Sequence, residues 1–172
     1  DGAICILVTT AERAKEGKKG PVYIMGMQGM ASGRKHVVFA MPGLGAGQQD
    51  VYKHNPPARA KVYEMAGIQQ KDVDCLQIYD SFSPEVPYGL EEFGFVPAGE
   101  AADWIQGGRI ELGGELPVNT AGGHLSEGML AGWGHMVEAV RQVRGECGPR
   151  QVEDCEIAQY IFTPGVSVVF RH

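Results

Sequence analysis

The sequence lacks a basic block, an apolar run of membrane-spanning length and any tight cluster of cysteines. Lys and Arg total 15 against 21 Asp and Glu, for a net charge of −6. The densest basic stretch, 15–19, is broken by Glu16 and Gly17. Phosphate backbones need a positive field, so nucleic acid is not an expected partner. A membrane span needs roughly 18 consecutive apolar residues, and no stretch approaches that. The four cysteines, Cys5, Cys75, Cys147 and Cys155, have no metal-ligand spacing, and Cys147 and Cys155 have no histidine pair nearby. They read as reduced thiols of a cytoplasmic protein, with no metal site in this chain. Charged residues make up only 21% against 44% hydrophobic, too apolar for a disordered chain. The 172 residues suit one domain, or one and a fraction.

Glycine, by contrast, is plentiful at 25 residues. It follows no G-x-y period, so it marks tight turns and close backbone approaches rather than a collagen helix.

The chain opens Asp1-Gly2-Ala3-Ile4-Cys5-Ile6-Leu7-Val8 without an initiator Met, reads as a strand already under way over 3–8, and suggests a fragment or processed product. A short helix is expected over 11–16 after a Thr cap, and a strand over 22–27. A further short strand is expected at 37–39, then a glycine loop at 41–47 that lacks a dinucleotide fingerprint. Pro56-Pro57 opens a helix that Gly67 closes. Residues 75–80 read as a strand with a polar end, and Ser83-Pro84-Glu85 as the start of a helix ending at Gly94. Residues 97–118 are rich in Gly and Pro. After the loop Asn119-Thr120-Ala121-Gly122-Gly123, one long helix is expected, with Met129, Leu130, Trp133, Met136, Val137, Val140 and Val143 at helical spacing. Strands follow at 155–161 and 166–170. Strands alternating with helices predict an α/β layered domain.

Three places combine reactive side chains with unusual backbone. Tyr79-Asp80-Ser81-Phe82-Ser83 lies at the carboxyl end of a predicted strand, where α/β folds bind ligands; it equally suits a strand-to-helix turn capped by Asp80 or Ser83. The loop 119–128 enters a helix, whose free amides favour anions and developing oxyanions, with His124 and Glu127 as acid or base candidates; plain capping by Ser126 and Glu127 is the alternative. Tyr160 ends a strand, as a proton donor or as core. His135 reads as a packed or surface histidine.

Together these motifs resemble the C-terminal half of the thiolase superfamily, in its sterol-carrier and lipid-transfer branch. The most specific block is Gly113-Gly114-Glu115-Leu116-Pro117-Val118-Asn119-Thr120-Ala121-Gly122-Gly123, continued by Arg144-Gly145-Glu146-Cys147-Gly148-Pro149-Arg150-Gln151-Val152. The resemblance implies a mixed sheet layered with helices. It makes 1–50 the end of the first thiolase half with a connecting loop, and 51–172 the C-terminal thiolase-like domain. It also implies a homodimer and a nucleophilic Cys lying in the half not present here.

The departures narrow the reading. Where that branch shows His-Asp-x-Phe-Ser, Tyr79 replaces the His. Where it shows Gly-His-Pro, Met129 and Leu130 stand after Gly128, and Met cannot exchange a proton. Where it shows His-Asn, the chain has Tyr160-Ile161. This half therefore reads as having lost its usual imidazole. The pattern resembles thiolase-like aldolases of steroid side-chain degradation, which cleave a β-hydroxyacyl-CoA and need no acyl-cysteine. That likeness implies Tyr160 at the β-hydroxyl proton and Tyr79 at the thioester enolate. Gly122, Gly123 and Asn119 would form the oxyanion loop. Coenzyme A would enter as part of the substrate, with no bound cofactor, and an OB-fold partner would carry its own zinc module. The alternatives are a β-ketoacyl-CoA thiolase with its Cys elsewhere, and a non-catalytic lipid-binding subunit. Loops 29–50 and 97–112 would set the acyl specificity.

Overall fold

The computed structural model describes residues 2–29, 56–163 and 165–172, with backbone alone for 56–60. The helices are α1 (Ala11–Ala14), α2 (Pro56–Ala66), α3 (Glu85–Glu92), α4 (Ala101–Trp104), α5 (Gly123–Glu127) and α6 (Trp133–Val143). The strands are β1 (Tyr23–Gln28), β2 (Cys75–Ile78), β3 (Ile157–Phe162) and β4 (Val166–Arg171). They form one mixed sheet of order β1-β4-β3-β2. β4 is antiparallel to both β1 and β3, whereas β2 runs parallel to β3. No helix among the described residues is long and apolar enough to cross a membrane. The expected strand at 37–39 and the glycine loop at 41–47 lie outside the described residues.

Side chains alternate across a strand, so each strand supplies two cores. Leu76, Ile78, Ile157, Ile161 and Val169 pack with Val62, Leu90 and Phe93 from α2, α3 and its C-terminal end. Cys75, Ala158, Tyr160 and Phe170 face the other way and pack with Ala139 and Val143 of α6. Strands covered on both faces lose the usual apolar–polar alternation, which is why β2 and β3 are nearly continuous buried runs.

Two expectations need correction. Residues 3–8 have no regular structure, with Leu7 88% and Val8 70% exposed. An apolar, β-branched run becomes a strand only where a neighbour completes its ladder, and none of the described strands pairs with it. The single long helix after Gly123 is two helices. Gly128, Ala131 and Gly132 have φ of 84°, 50° and 81°, values a right-handed helix excludes. The break turns the chain so that α5 and α6 meet at the end of β2.

The buried face of α6 also differs from its most apolar one. His135, Glu138, Ala139, Gln142 and Val143 are buried, whereas Trp133 is 48% exposed. The apolar spacing located the helix, but three polar residues on another stripe face the sheet.

Candidate active site

The site forms where β2 ends. Asn119, held at φ 52°, points its amide along the strand: Ile78 N–H donates to Oδ1 at 2.7 Å, and Nδ2 donates to the Ile78 carbonyl at 2.9 Å. This side chain continues the ladder where the backbone stops and docks the loop 119–124 beside residues 79 and 80.

Asp80 then caps a helix, but not the one next in sequence. The His124 N–H at the start of α5 donates to Asp80 Oδ1 at 3.1 Å. Gly123, at φ 62°, lies so close that a Cβ there would strike the carboxylate. The start of α3 is held instead by Glu85, whose Oε2 accepts from Ser81 Oγ at 3.0 Å and Phe82 N–H at 3.2 Å.

Two imidazoles gather on Asp80. His135 Nε2 lies 2.9 Å from Asp80 Oδ1, and against a carboxylate that nitrogen carries the proton. The Nδ1 lone pair of His135 remains. Burial lowers the His135 pKa, and the opposing pull of Asp80 does not reverse it, so the ring is neutral at neutral pH. His124 Nδ1 lies 3.4 Å from the Gly128 carbonyl, which can only accept. His124 Nε2 is buried without a hydrogen-bond partner, 3.9 Å from Asp80 Oδ1.

The expected tyrosines close on the same place. The Tyr79 ring stands edge-on to His124 and to Phe162, each with centroids 4.7 Å apart, and 6.2 Å from His135. Tyr160, 5% exposed, lies 6.4 Å from His135 between ring centroids. A Cβ on Gly132 would strike the Tyr160 hydroxyl and come within 3.0 Å of Tyr79 Cδ2, so both phenol rings converge on that glycine. Burial, with Tyr79 and Glu85 nearby, pushes the Tyr160 pKa up and keeps the phenol protonated.

The other expected residues fall around this centre. Gly122 N–H donates to the Asn119 carbonyl at 2.7 Å. Glu127 is exposed at the end of α5, and Met129, where the sequence resemblance leads one to expect a histidine, is 72% exposed. His124, an acid or base candidate from the sequence, and His135, read there as a packed or surface histidine, bring imidazole to this place from either side of the helix break. Asp80 was visible in the sequence only as a cap, and His135 only as packing. A usable signal for His135 was its stripe, since His135, Glu138 and Gln142 recur at helical spacing and cannot all be solvent-facing beside Ala139 and Val143.

Behind the site lies a buried polar network that anchors Arg150, near the end of the 144–152 block. Glu138 accepts from Arg150 Nε at 2.9 Å and from its second guanidinium nitrogen at 3.0 Å. Thr120 Oγ donates to Glu138 at 2.8 Å, and Gln77 and Gln142 donate to Thr120. Gln142 also bonds the Arg150 carbonyl and the Val152 N–H. Burial raises the Glu138 pKa, but the bonds from Arg150 and Thr120 outweigh it and hold the carboxyl below its usual range. The motif thus ties α6 to the loop that carries Asn119 and His124.

Comparison with known proteins agrees with this architecture. The family model for the thiolase C-terminal domain-like family matches residues 50–167. A Mycobacterium tuberculosis protein named 17-hydroxy-3-oxo-4-pregnene-20-carboxyl-CoA lyase is 37% identical over 145 residues, covering 84% of this chain and 37% of that protein. A Thermomonospora curvata steroid side-chain-cleaving aldolase is 36% identical over 154 residues, covering 84% of this chain and 36% of its own. A solved structure described as Ltp2-ChsH2(DUF35) aldolase superposes with a TM-score of 0.76 at 29% identity, covering 94% of this chain and 42% of that one. The chain spans well under half the length of these relatives. With its mixed sheet, its Asn119-to-Gly123 loop and its Arg150 clamped on Glu138, the chain belongs to the thiolase C-terminal domain-like family.

Proposed function

We propose that this chain is part of an enzyme that cleaves a carbon–carbon bond in a β-hydroxyacyl-CoA thioester by a retro-aldol step, with a steroid or other lipid side chain as the acyl group. The observation that carries the proposal is the convergence of Tyr79 and Tyr160 on Gly132, beside the His124, His135 and Asp80 cluster. The two relatives named as a steroid side-chain aldolase and a CoA lyase support it.

The reaction needs an acceptor for the β-hydroxyl proton. As that proton leaves, the oxygen forms a carbonyl, the α–β carbon bond breaks and its electrons become a thioester enolate. The enolate α-carbon then takes up a proton, so no redox partner is consumed. Burial keeps the Tyr160 phenol protonated, so it is not the base, and its hydroxyl is available to donate a hydrogen bond to the enolate oxygen. The neutral imidazole of His135, held by Asp80, receives the β-hydroxyl proton. Tyr79, edge-on to His124, orients the substrate between them. This division reverses the one the family resemblance implies for Tyr160. The rest of the enzyme follows the family: a homodimer, with a second protein of OB-fold and zinc-module type as partner.

The test is to incubate the intact protein with matched β-hydroxyacyl-CoA and β-ketoacyl-CoA thioesters, with and without the partner, and identify the products. Release of a ketone and a shortened acyl-CoA from the β-hydroxy substrate is expected. Thiolysis of the β-keto substrate alone would replace the reading with acyl transfer.

A further inference from the structure

We propose that Asp80, His124 and His135 together bind a divalent transition-metal ion of the zinc class. Two imidazoles and one carboxylate form a donor set that such ions favour, with coordination positions left open for water or substrate. Their ligand atoms lie within 4.8 Å of one another. Asp80 Oδ1 is 2.9 Å from His135 Nε2 and 3.9 Å from His124 Nε2. An ion about 2.0–2.1 Å from each donor in tetrahedral geometry sets the donors about 3.3 Å apart. The Asp80–His135 spacing is a little short and the Asp80–His124 spacing a little long, and with the set spanning up to 4.8 Å, binding would draw the two imidazoles together.

The independent observation is His124 Nε2. The side chain is 9% exposed, and this atom is buried with no hydrogen-bond partner, 3.9 Å from Asp80 Oδ1. An orphaned buried nitrogen is costly, and among the described residues it is the one buried side-chain N or O atom in that state. A cation among the three donors removes the deficit. The ligands are also held from behind, as metal ligands usually are. His124 Nδ1 faces the Gly128 carbonyl, and Asp80 is fixed by the His124 backbone N–H. Binding requires His135 to move its proton from Nε2 to Nδ1, so the ring stays neutral.

The inference goes beyond the cleavage reading and does not rest on it. With an ion bound, both imidazole lone pairs at Nε2 are occupied, and the positive charge of the ion, rather than an imidazole, lowers the pKa of a nearby hydroxyl. A bound ion and an imidazole acting as proton acceptor are mutually exclusive at this site, so with the ion bound that role in the cleavage reading would pass to another group.

The experiment is to strip the intact protein of metal with chelator and titrate it with Co²⁺, following visible absorption. One Co²⁺ per chain is expected, displaced by Zn²⁺. His124→Ala and Asp80→Asn should each weaken binding at least about tenfold while circular dichroism stays unchanged. Absence of binding, binding unaltered by both substitutions, or a thiolate charge-transfer band placing the ion on cysteine would overturn the proposal. If either variant fails to fold, X-ray absorption of zinc-loaded wild-type protein decides: imidazole and oxygen neighbours sustain it, and sulfur neighbours end it. Metal binding without substrate cleavage would leave this proposal standing and remove the enzymatic one. Cleavage without metal binding would do the reverse.

Discussion

The two faces of the sheet solve burial in opposite ways. On the side of α2 and α3, the strands present Leu76, Ile78, Ile161 and Val169 to Val62, Leu90 and Phe93, and the core is apolar. On the side of α6, the same strands present Tyr160 and Gln77 to a helix that buries His135, Glu138 and Gln142. Two carboxyls measure the difference. Glu92, at the apolar side, is pushed up to about 7 by burial, which its bond from the Gly165 backbone only partly offsets. Glu138 is also buried, but Arg150 and Thr120 bring it below the usual range. Burial alone neutralises an acid; burial with fixed donors keeps it charged. The apolar face holds the domain together, and the polar face can hold charge and protons in place.

The comparison breaks most sharply if activity and stability do not separate between the faces. Tyr160→Phe removes one hydroxyl and almost no volume. It should lower cleavage of the β-hydroxyacyl thioester about 10²–10⁴-fold with the thermal unfolding midpoint nearly unchanged. Wild-type turnover would remove the donor assignment. Leu90→Ala, on the other face, should destabilise by about 2–5 kcal/mol in denaturant unfolding, with unchanged turnover per folded molecule. Glu138→Gln should cost about 1–3 kcal/mol, because it leaves the donors of Arg150 and Thr120 poorly matched; unfolding curves of the pair Glu138→Gln and Arg150→Ala, singly and together, would show coupling. Gly132→Ala should cost about 1 kcal/mol for its φ of 81° and, by displacing the Tyr160 hydroxyl, lower kcat more than stability.

The smallest effect sharpens the comparison through pH. Because the folded-state pKa of Glu92 is raised, its stabilising contribution is complete below about pH 4.5 and is lost as pH rises through about 7. Glu138 has a lowered folded-state pKa, so its contribution is present above about pH 4.5 and is lost as pH falls through the folded value. Unfolding measured from about pH 2 to 9 should flatten between about pH 4.5 and 7 in Glu92→Gln and below about pH 4.5 in Glu138→Gln. An unchanged slope between about pH 4.5 and 7 in Glu92→Gln would show that the carboxyl is better solvated than its burial implies.

Much of the local structure was legible before the fold was known. Pro56-Pro57 and Gly67 bracket α2, and the expected strands at 75–80, 155–161 and 166–170 overlap β2, β3 and β4. Tyr79, Asp80, Asn119, His124 and Tyr160 stood out because they sit where strands end and glycine loops begin. The break between α5 and α6 was harder to read. Met129, Leu130 and Trp133 kept helical spacing through a segment whose backbone turns left-handed, and periodicity does not register φ. The site role of His135 was hidden for a related reason, since its partner Asp80 is 55 residues away and is brought to it by a parallel strand pair and a docked loop.

Local chemistry by itself determined the strands and helices that carry strong signals, the glycine-rich turns and the family signature in the Asn119 and Arg144 blocks. These depend on near neighbours, through side-chain shape, capping and allowed backbone angles. Only the tertiary structure decided which stripe of α6 faces inward, that residues 3–8 stay outside the sheet, and that two imidazoles, one carboxylate and two phenols meet beside Gly132. Such outcomes depend on pairing across long sequence separations and on desolvation, and a side chain acquires its partner and its proton affinity only once the surrounding chain has excluded water.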